Sequence, residues 1–264
     1  ICHGNKIDIL DTQWMPHSIG MFYATYTQIL GYQPDNDEWK VMAMSAKKID
    51  SANLEEKLLS TIALLPKGRF ELDQKYYTGA LKEQPNLYSQ ELLSLIGTSE
   101  NQLETSNKSY TWQCKVARAM QRVAEKVIWH IRDDLYDRTQ TSNLVLSGGF
   151  FMNSVINGKI EKNTKFKKIY ISHSPDDSGN SIGAALYLHH CILDNPRSKS
   201  ISKSDLGPQF TSDNIKNTIL RRKIASKKLS NSSKTIAEIL AQGKAVALFQ
   251  GKMEFGDRAL GFRS

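Results

Sequence analysis

The middle of the chain alternates between helical and strand patterns, and this alternation limits the possible folds more than any other feature. In "CKVARAMQRVAEKVIWHIRDDL" the apolar residues recur at helical spacing, which predicts one long amphipathic helix with a buried stripe. The stripe consists of Val116, Met120, Val123, Val127, Ile131 and Leu135. The apolar run "NLVLSGG" follows directly and predicts a short buried strand that ends in a turn.

The alternation continues toward the C-terminus. A helix is predicted around residues 152–160, a strand in "KKIYISHSP", and a helix in "SGNSIGAALYLHHCIL", whose Gly183, Ala184 and Ala185 permit close packing. Helices that alternate with strands predict an α/β fold with a partly parallel sheet. In the last part of the chain we expect a helix closed by Gly243 and a strand from Ala245 to Phe249.

Residues 66–110 are polar and indicate only surface helices. The chain has 264 residues, 40% of them hydrophobic, which is enough for one large domain or two modest ones. No segment approaches the roughly 20 apolar residues that span a bilayer, and no signal sequence opens the chain. The three cysteines form no CxxC pair. These features predict a soluble, cytoplasmic protein with no membrane partner.

The formal net charge is +8, and much of it lies in a basic segment, residues 197–234. This segment contains one aromatic residue, Phe210, so it lacks the stacking side chains that proteins use to bind single-stranded nucleic acid. A solvated connector near an anionic substrate is therefore favoured over a nucleic-acid partner.

Two polar motifs follow consecutive predicted strands. Gly148 and Gly149 in "LSGGFFMN" are consistent with a tight strand-to-helix turn, and equally with a backbone that a phosphate approaches closely. The carboxylates Asp176 and Asp177 in "SPDDSGNSIGAA" are consistent with helix capping or with cation binding. Ligands of open α/β sheets bind beyond such strand ends, which favours a shared site.

Several blocks of the sequence resemble the O-carbamoyltransferase family that serves nodulation factors and antibiotics. They are "PHSIGMFYATYTQILGY", "EWKVM", "LSGGFFMNSVINGKI", "SPDDSGNSIGAALY", "GPQF" and "FQGKMEFGDRALGFRS". The resemblance implies an actin-like (ASKHA) nucleotide-binding domain over residues 1–195 that lacks its beginning. It further implies a linker over 196–206 and the start of a YrdC-like α/β domain over 207–264.

The resemblance also implies a two-step reaction. The YrdC-like domain makes carbamoyl-adenylate from carbamoyl phosphate and ATP, and the actin-like domain passes the carbamoyl group to a hydroxyl of a small-molecule or glycan acceptor. A mixed anhydride supplies a good leaving group, and a metal polarises the carbonyl further. Two alternatives stay open: a nucleotidase similar to the transferase that threonylcarbamoylates tRNA, and a non-catalytic module that binds an adenine nucleotide.

Specific residues match the family motifs. Gly148, Gly149 and Asn153 match its adenylate-binding turn. Asp177 matches a carboxylate that holds a metal, usually Fe²⁺ though another divalent ion is possible, whereas Asp176 is expected to cap the helix. His17 lies in the block "PHSIG" and is a further residue to test.

Glu38 and Lys40 match a stretch beside the nucleotide, where they would contact ribose and phosphate, although an exposed ion pair is an equal alternative. Arg258 and Arg263 match the last block and are candidate phosphate ligands, with surface solvation as the alternative.

The sequence departs from the family at three points. It has "AMSAKK" where the family usually has "GLAPYG", and Asp257 replaces a proline ahead of Arg258. The HxxxH pair that supplies the family's other metal ligands is absent. Because this pair is absent and the resemblance implies only the start of a YrdC-like domain, we expect these 264 residues to bind an adenine nucleotide weakly but not to complete carbamoyl transfer alone.

Overall fold

A computed structural model describes residues 1–79, 85–104, 109–197 and 203–262. The chain divides into two compact units, a first unit over Ile1–Tyr170 and a second unit over Ile171–Ser264. The division falls within a strand, and it does not test the domain boundaries expected at residues 195 and 207, which stay predictions.

The first unit contains seven of the helices found among the described residues. They are α1 (Ile19–Ile29), α2 (Glu38–Ser45), α3 (Ala52–Leu59), α4 (Gln90–Ile96), α5 (Glu100–Glu104), α6 (Tyr110–Thr139) and α7 (Ser154–Lys162). Its strands are β1 (Cys2–His3), β2 (Lys6–Ile7), β3 (Ile62–Leu65), β4 (Arg69–Leu72), β5 (Asn143–Leu146) and β6 (Lys168–Ile171). The strands pair as β1 with β2, β3 with β4, and β5 with β6.

The long helix α6 is the element on which the first unit is packed. Helices α1, α2 and α3 all lie against it, and the predicted stripe is confirmed as core. Val116, Met120, Val123 and Val127 are fully buried, and the remaining two stripe residues are half-buried. Apolar residues at helical spacing thus place one face of α6 in the core, as expected for an amphipathic helix.

Strands β5 and β6 form where the sequence predicts them. The backbone N–H groups of Lys167 and Lys168 both donate to the carbonyl of Ser142, at 2.7 and 3.1 Å, so the two paired strands begin side by side and run in the same direction. Helix α7 forms the connection between them, as parallel pairing requires. The α/β class is confirmed to this extent, while its actin-like and YrdC-like identities stay predictions.

The prediction of surface helices over residues 66–110 is wrong in two respects. Strands β3 and β4 form an antiparallel hairpin from Ile62↔Leu72 to Leu65↔Arg69. Helix α4 buries Leu92 and Leu93 completely instead of lying on the surface. Each element is too short for periodicity to identify it, since the strands have four residues and the helix has seven.

The described part of the second unit is helical. It contains a 3-10 turn (Asp177–Gly179), α8 (Asn180–Leu186), a π-helical continuation (Tyr187–Ile192), α9 (Ser212–Arg222) and α10 (Ser232–Ala241). The predicted helix after β6 is confirmed, but the close packing that its small residues permit does not occur among the described residues. Gly183, Ala184 and Ala185 are exposed, and a Cβ atom on Gly183 would meet nothing within 4 Å.

The predicted strand from Ala245 to Phe249 is also wrong. Phe249 takes part in an isolated bridge, and the segment finds no ladder partner among the residues that the structure describes. A strand without a neighbour leaves its N–H and C=O groups to solvent, so an apolar run alone does not form one. Helix α10 is followed by Gly243 at φ 74°, which agrees with the predicted glycine stop.

Within the described ranges, no helix combines the length and the apolar character that crossing a membrane requires.

Replacing Met120 with alanine tests whether the core of the first unit is packed on α6. The side chain is fully buried, so the variant should lose about 2–5 kcal/mol of unfolding free energy through the cavity that it leaves. Urea unfolding followed by circular dichroism measures the loss. Lys126→Ala, on the exposed face of the same helix, is the control and should change stability by less than about 0.5 kcal/mol. Equal effects of the two substitutions would contradict the packing described above.

Candidate functional site

The two adjacent glycines form a tight, exposed turn at the end of β5. Gly148 has φ 106° and ψ 147°, a backbone conformation that favours glycine. A Cβ atom there would meet nothing within 4 Å, so the backbone angle and not the available space requires glycine. Gly149 begins a 3-10 turn (Gly149–Met152) that leads into α7, and both glycines are exposed. The turn therefore presents bare backbone to solvent, while its ligand stays a prediction.

Asn153 directly follows this turn, and its side chain is buried in the protein. Its Oδ1 accepts the backbone N–H of Ile156 at 3.1 Å and so caps the N-terminus of α7. Its Nδ2 donates to Oε1 of Gln121 at 3.0 Å, and the side chain is buried. Asn153 thus faces α6, on the opposite side of the turn from the exposed glycines.

A network of five side chains, four of them buried, lies next to the turn, and we call it the amide network. Its members are Tyr23, Gln121, Glu125, Asn153 and Lys159. The Tyr23 hydroxyl donates to Oε1 of Gln121 at 2.8 Å, and Nε2 of Gln121 donates to Oε1 of Glu125 at 3.3 Å. The Lys159 ammonium lies 2.5 Å from the same Glu125 oxygen. Gln121 and Glu125 of α6 thus bind side chains from α1, the turn and α7.

Burial is the main cause that raises the pKa of Tyr23 well above its ordinary value. The hydroxyl therefore stays protonated and can donate to Gln121 at all physiological pH values. Sequence reasoning missed the network because it followed the apolar residues of α6 only. The available signal was the presence of Gln121 and Glu125, four residues apart, between buried apolar positions of one helix.

Helix α2, which carries two predicted nucleotide contacts, lies beside the turn. Ser154 contacts Met42, with Oγ and Sδ 3.6 Å apart. Glu38 begins α2 and accepts the backbone N–H of Asp35 at 2.8 Å. The structure therefore brings the α2 stretch and the glycine turn together.

Lys40 is held by a neighbour other than Glu38. Its ammonium lies 2.8 Å from Oδ1 of Asp37. The same nitrogen lies 5.5 Å from the ring centroid of Tyr32 and 5.5 Å from that of Trp39. The hydrogen bond from Lys40 lowers the pKa of Asp37. The ion pair in this stretch thus joins Asp37 to Lys40, and a nucleotide role of either Glu38 or Lys40 stays a prediction.

His17 connects the segment before α1 to the β3–β4 hairpin. Its Nδ1 accepts the backbone N–H of Leu72 at 3.1 Å. This bond requires an unprotonated Nδ1 and gives His17 a structural contact, whereas its functional role stays a prediction.

In the second unit, Asp176 caps the turn that precedes α8, as the sequence predicts. Its carboxylate accepts the Ser178 hydroxyl at 2.8 Å and the Ser174 hydroxyl at 3.3 Å. Burial opposes ionisation of Asp176, but these hydrogen bonds outweigh burial and hold its pKa below the usual value.

Asp177, the predicted metal ligand, is exposed at the start of the same turn. No group of three or more ligand-type side chains, whether His, Cys, Asp or Glu, comes together in the described part of the chain. A single carboxylate would leave a divalent ion mostly coordinated by water. The residues present therefore do not fit a metal centre by themselves, and binding of iron or another metal at Asp177 stays a prediction.

The block "EFGDRALG" packs against the loop that follows β6. Gly256 has φ 120°, and a Cβ atom on it would lie 2.6 Å from the carbonyl oxygen of His173. The ring of Phe255 lies edge-on to that of His173, with centroids 6.1 Å apart. Glycine is therefore required at position 256 for the block "EFGDRALG" to contact the "SHSPDD" segment that contains His173.

Arg258 follows this contact on the same segment. Its Nε is buried and has no hydrogen-bond partner among the described residues. The other predicted phosphate ligand, Arg263, lies outside the described residues. The candidate residues thus fall into two sets, one around the glycine turn of the first unit and one around the Gly256 contact of the second.

Comparison with known proteins identifies related sequences along most of the chain. Residues 3–186 match the family described as Carbamoyltransferase N-terminus, and residues 237–264 match Carbamoyltransferase C-terminus. An uncharacterized protein of Synechocystis is 31% identical, covering 94% of this chain and 41% of its own length. The nodulation protein NolNO of Sinorhizobium fredii is 26% identical, covering 99% of this chain and 36% of that protein.

The nodulation protein NolO of Bradyrhizobium diazoefficiens is also 26% identical, over 94% of this chain and 43% of that protein. The chain therefore spans about two fifths of the length of the curated relatives that it matches.

Proposed function

This chain belongs to the carbamoyltransferase family, and we propose that the protein transfers a carbamoyl group to a hydroxyl of a small-molecule or glycan acceptor. The observation that carries the proposal is the match over residues 3–186, which contains the exposed glycine turn. The family resemblance predicted from the sequence motifs is thereby confirmed. Because the chain spans only part of its relatives' length, the activity of the whole protein is inferred from this match.

The proposed reaction proceeds through carbamoyl-adenylate, made from carbamoyl phosphate and ATP. Water hydrolyses carbamoyl phosphate to carbamate and inorganic phosphate, and a carbamate oxygen then attacks the α-phosphorus of ATP and displaces pyrophosphate. In the transfer step the acceptor hydroxyl oxygen attacks the carbonyl carbon and loses its proton to solvent, and the bond between that carbon and the AMP phosphate oxygen breaks. AMP is a good leaving group, so activation as a mixed anhydride compensates for the low electrophilicity of the carbamoyl carbon. Positioning the acceptor and the adenylate together would supply much of the remaining rate enhancement.

We propose that the glycine turn binds the phosphate of the adenine nucleotide. Neither Gly148 nor Gly149 carries a side chain that would block the approach of an anion to the backbone. The start of α7 follows within a few residues, and helix N-termini favour negative charge. Asn153 supports this turn from inside through its contacts with α6 and α7.

The remaining ligand assignments rest on charge and on family position. Arg258 and Arg263 are proposed to bind phosphate oxygens, because a guanidinium group donates to two oxygens at once. The buried, unpartnered Nε of Arg258 supports this assignment. Glu38 is proposed to accept hydrogen bonds from ribose hydroxyls, and Lys40 to offset phosphate charge after exchanging its contact with Asp37. We derive no step through a metal at Asp177.

Replacing Gly149 with valine should weaken nucleotide binding without preventing folding. Gly149 lies in a 3-10 turn, whose backbone angles other residues adopt, so the added side chain affects mainly the space in front of the turn. We expect the affinity for ATP to fall at least about tenfold, which corresponds to about 1.4 kcal/mol. Isothermal titration calorimetry measures the affinity, and circular dichroism establishes that the variant is folded.

Gly158→Ala is the matched control, since a Cβ atom at this position of α7 would meet nothing within 4 Å. It should leave ATP affinity unchanged and stabilise the helix slightly. Unchanged affinity in a folded Gly149→Val protein would refute the phosphate-binding role of the turn and leave the turn as a purely structural feature.

The complete protein that carries these residues should catalyse carbamoyl-phosphate-dependent exchange of labelled pyrophosphate into ATP. Formation of an adenylate from ATP releases pyrophosphate, so the reverse reaction returns the label to ATP. The assay does not require knowledge of the acceptor. The control omits carbamoyl phosphate and should show no exchange. A folded, ATP-binding protein that shows no exchange with carbamoyl phosphate present would contradict the carbamoyl-adenylate pathway.

A further inference from the structure

Two groups at opposite ends of the amide network determine which atoms of Gln121 and Asn153 donate and which accept. At one end, the Glu125 carboxylate can only accept, so it must face the Nε2 group of Gln121. At the other end, the backbone N–H of Ile156 can only donate, so it must face Oδ1 of Asn153. The orientations of both amides follow from these two groups.

Between these ends, Gln121 and Asn153 bind each other through two hydrogen bonds. Nδ2 of Asn153 lies 3.0 Å from Oε1 of Gln121, and Nε2 of Gln121 lies 3.3 Å from Oδ1 of Asn153. The Tyr23 hydroxyl donates to the same Gln121 oxygen at 2.8 Å. Gln121 therefore binds Tyr23 of α1, Glu125 of α6 and Asn153 beside the turn, and it is the member of the network with the most partners.

This pairing lies deep in the first unit. The exposed fractions are 2% for Gln121, 5% for Glu125 and 7% for Asn153. An amide that loses its partner at such depth is costly because water cannot replace the hydrogen bond. A fully paired buried network therefore rigidifies the backbone segments that it joins.

The backbone segment joined to α6 in this way is the glycine turn. Asn153 directly follows the 3-10 turn (Gly149–Met152) and caps the next helix, so its side chain controls where both begin. Gln121 binds the buried side chain of Asn153, whereas the two glycines of the turn are exposed. A change at Gln121 can thus move the turn without touching anything that binds to it.

We propose that Gln121 is the positioning residue of the glycine turn: it orients Asn153 and thereby sets the direction of the backbone N–H groups that receive a phosphate. The inference rests on the proposed nucleotide binding at Gly148 and Gly149. It adds a residue of α6 that contacts no ligand, and it assigns to Asn153 an inward, supporting role.

The first test compares Gln121→Leu with Thr61→Val. Both substitutions replace a buried polar side chain with an apolar one of similar size, but the Thr61 hydroxyl bonds to Leu58 and Tyr77, which lie outside the amide network. We expect both variants to be less stable in urea unfolding. Only Gln121→Leu should lower ATP affinity, by about tenfold or more, and only it should accelerate amide hydrogen exchange over residues 148–156.

A second test exchanges the amide and the carboxylate groups of positions 121 and 125. Gln121→Glu places two acceptors opposite each other at Glu125, so ATP affinity should fall again. The double variant Gln121→Glu with Glu125→Gln restores a donor between positions 121 and 125. It still sets a carboxylate against Oδ1 of Asn153, so ATP affinity should stay low although the contact between positions 121 and 125 is restored.

ATP affinity and turn exchange in Gln121→Leu that equal those of Thr61→Val would overturn the proposal. So would a double variant that recovers the ATP affinity of the unmodified chain. An unmodified chain that does not bind ATP would instead contradict the proposed function. In that case the exchange rates of residues 148–156, measured without nucleotide, still decide whether Gln121 holds the turn.

Discussion

The candidate site depends on one constraint: two polar side chains of α6, Gln121 and Glu125, are buried in an otherwise apolar helix face and must be paired there. Tyr23 from α1, Asn153 from the turn and Lys159 from α7 supply the partners. Because these partners come from three elements, pairing them fixes the positions of all three against α6. The same helix therefore organises both the hydrophobic core and the turn.

The two ends of the motif "SGGFFMN" have different roles. The glycines face outward and leave the backbone open, whereas Asn153 faces inward and makes the contacts that hold the backbone in place. A binding turn needs both properties, since an unsupported bare loop would lose more conformational entropy when a ligand orders it. The proposed phosphate binding would use the exposed end of this motif.

Long, strongly periodic elements could be predicted from the sequence, and short or partner-dependent ones could not. The spacing of Val116, Met120 and Val123 identified α6, because a buried face requires that period. The β3–β4 hairpin, by contrast, has four-residue strands that leave too short a pattern. The segment from Ala245 to Phe249 has a strand-like composition but no partner to pair with among the described residues. Gln121 and Glu125 were missed because their role depends on partners 32 and 34 residues away in sequence, which local patterns do not contain.

The central claim is that the phosphate of an adenine nucleotide binds at the glycine turn. Amide hydrogen exchange measured by mass spectrometry, with and without saturating ATP, tests this claim most directly. We predict that ATP slows exchange in peptides that contain Gly148 to Met152 and leaves the β3–β4 hairpin unchanged. Binding of ATP, established by calorimetry on the same sample, with no slowing of exchange at the turn would contradict it.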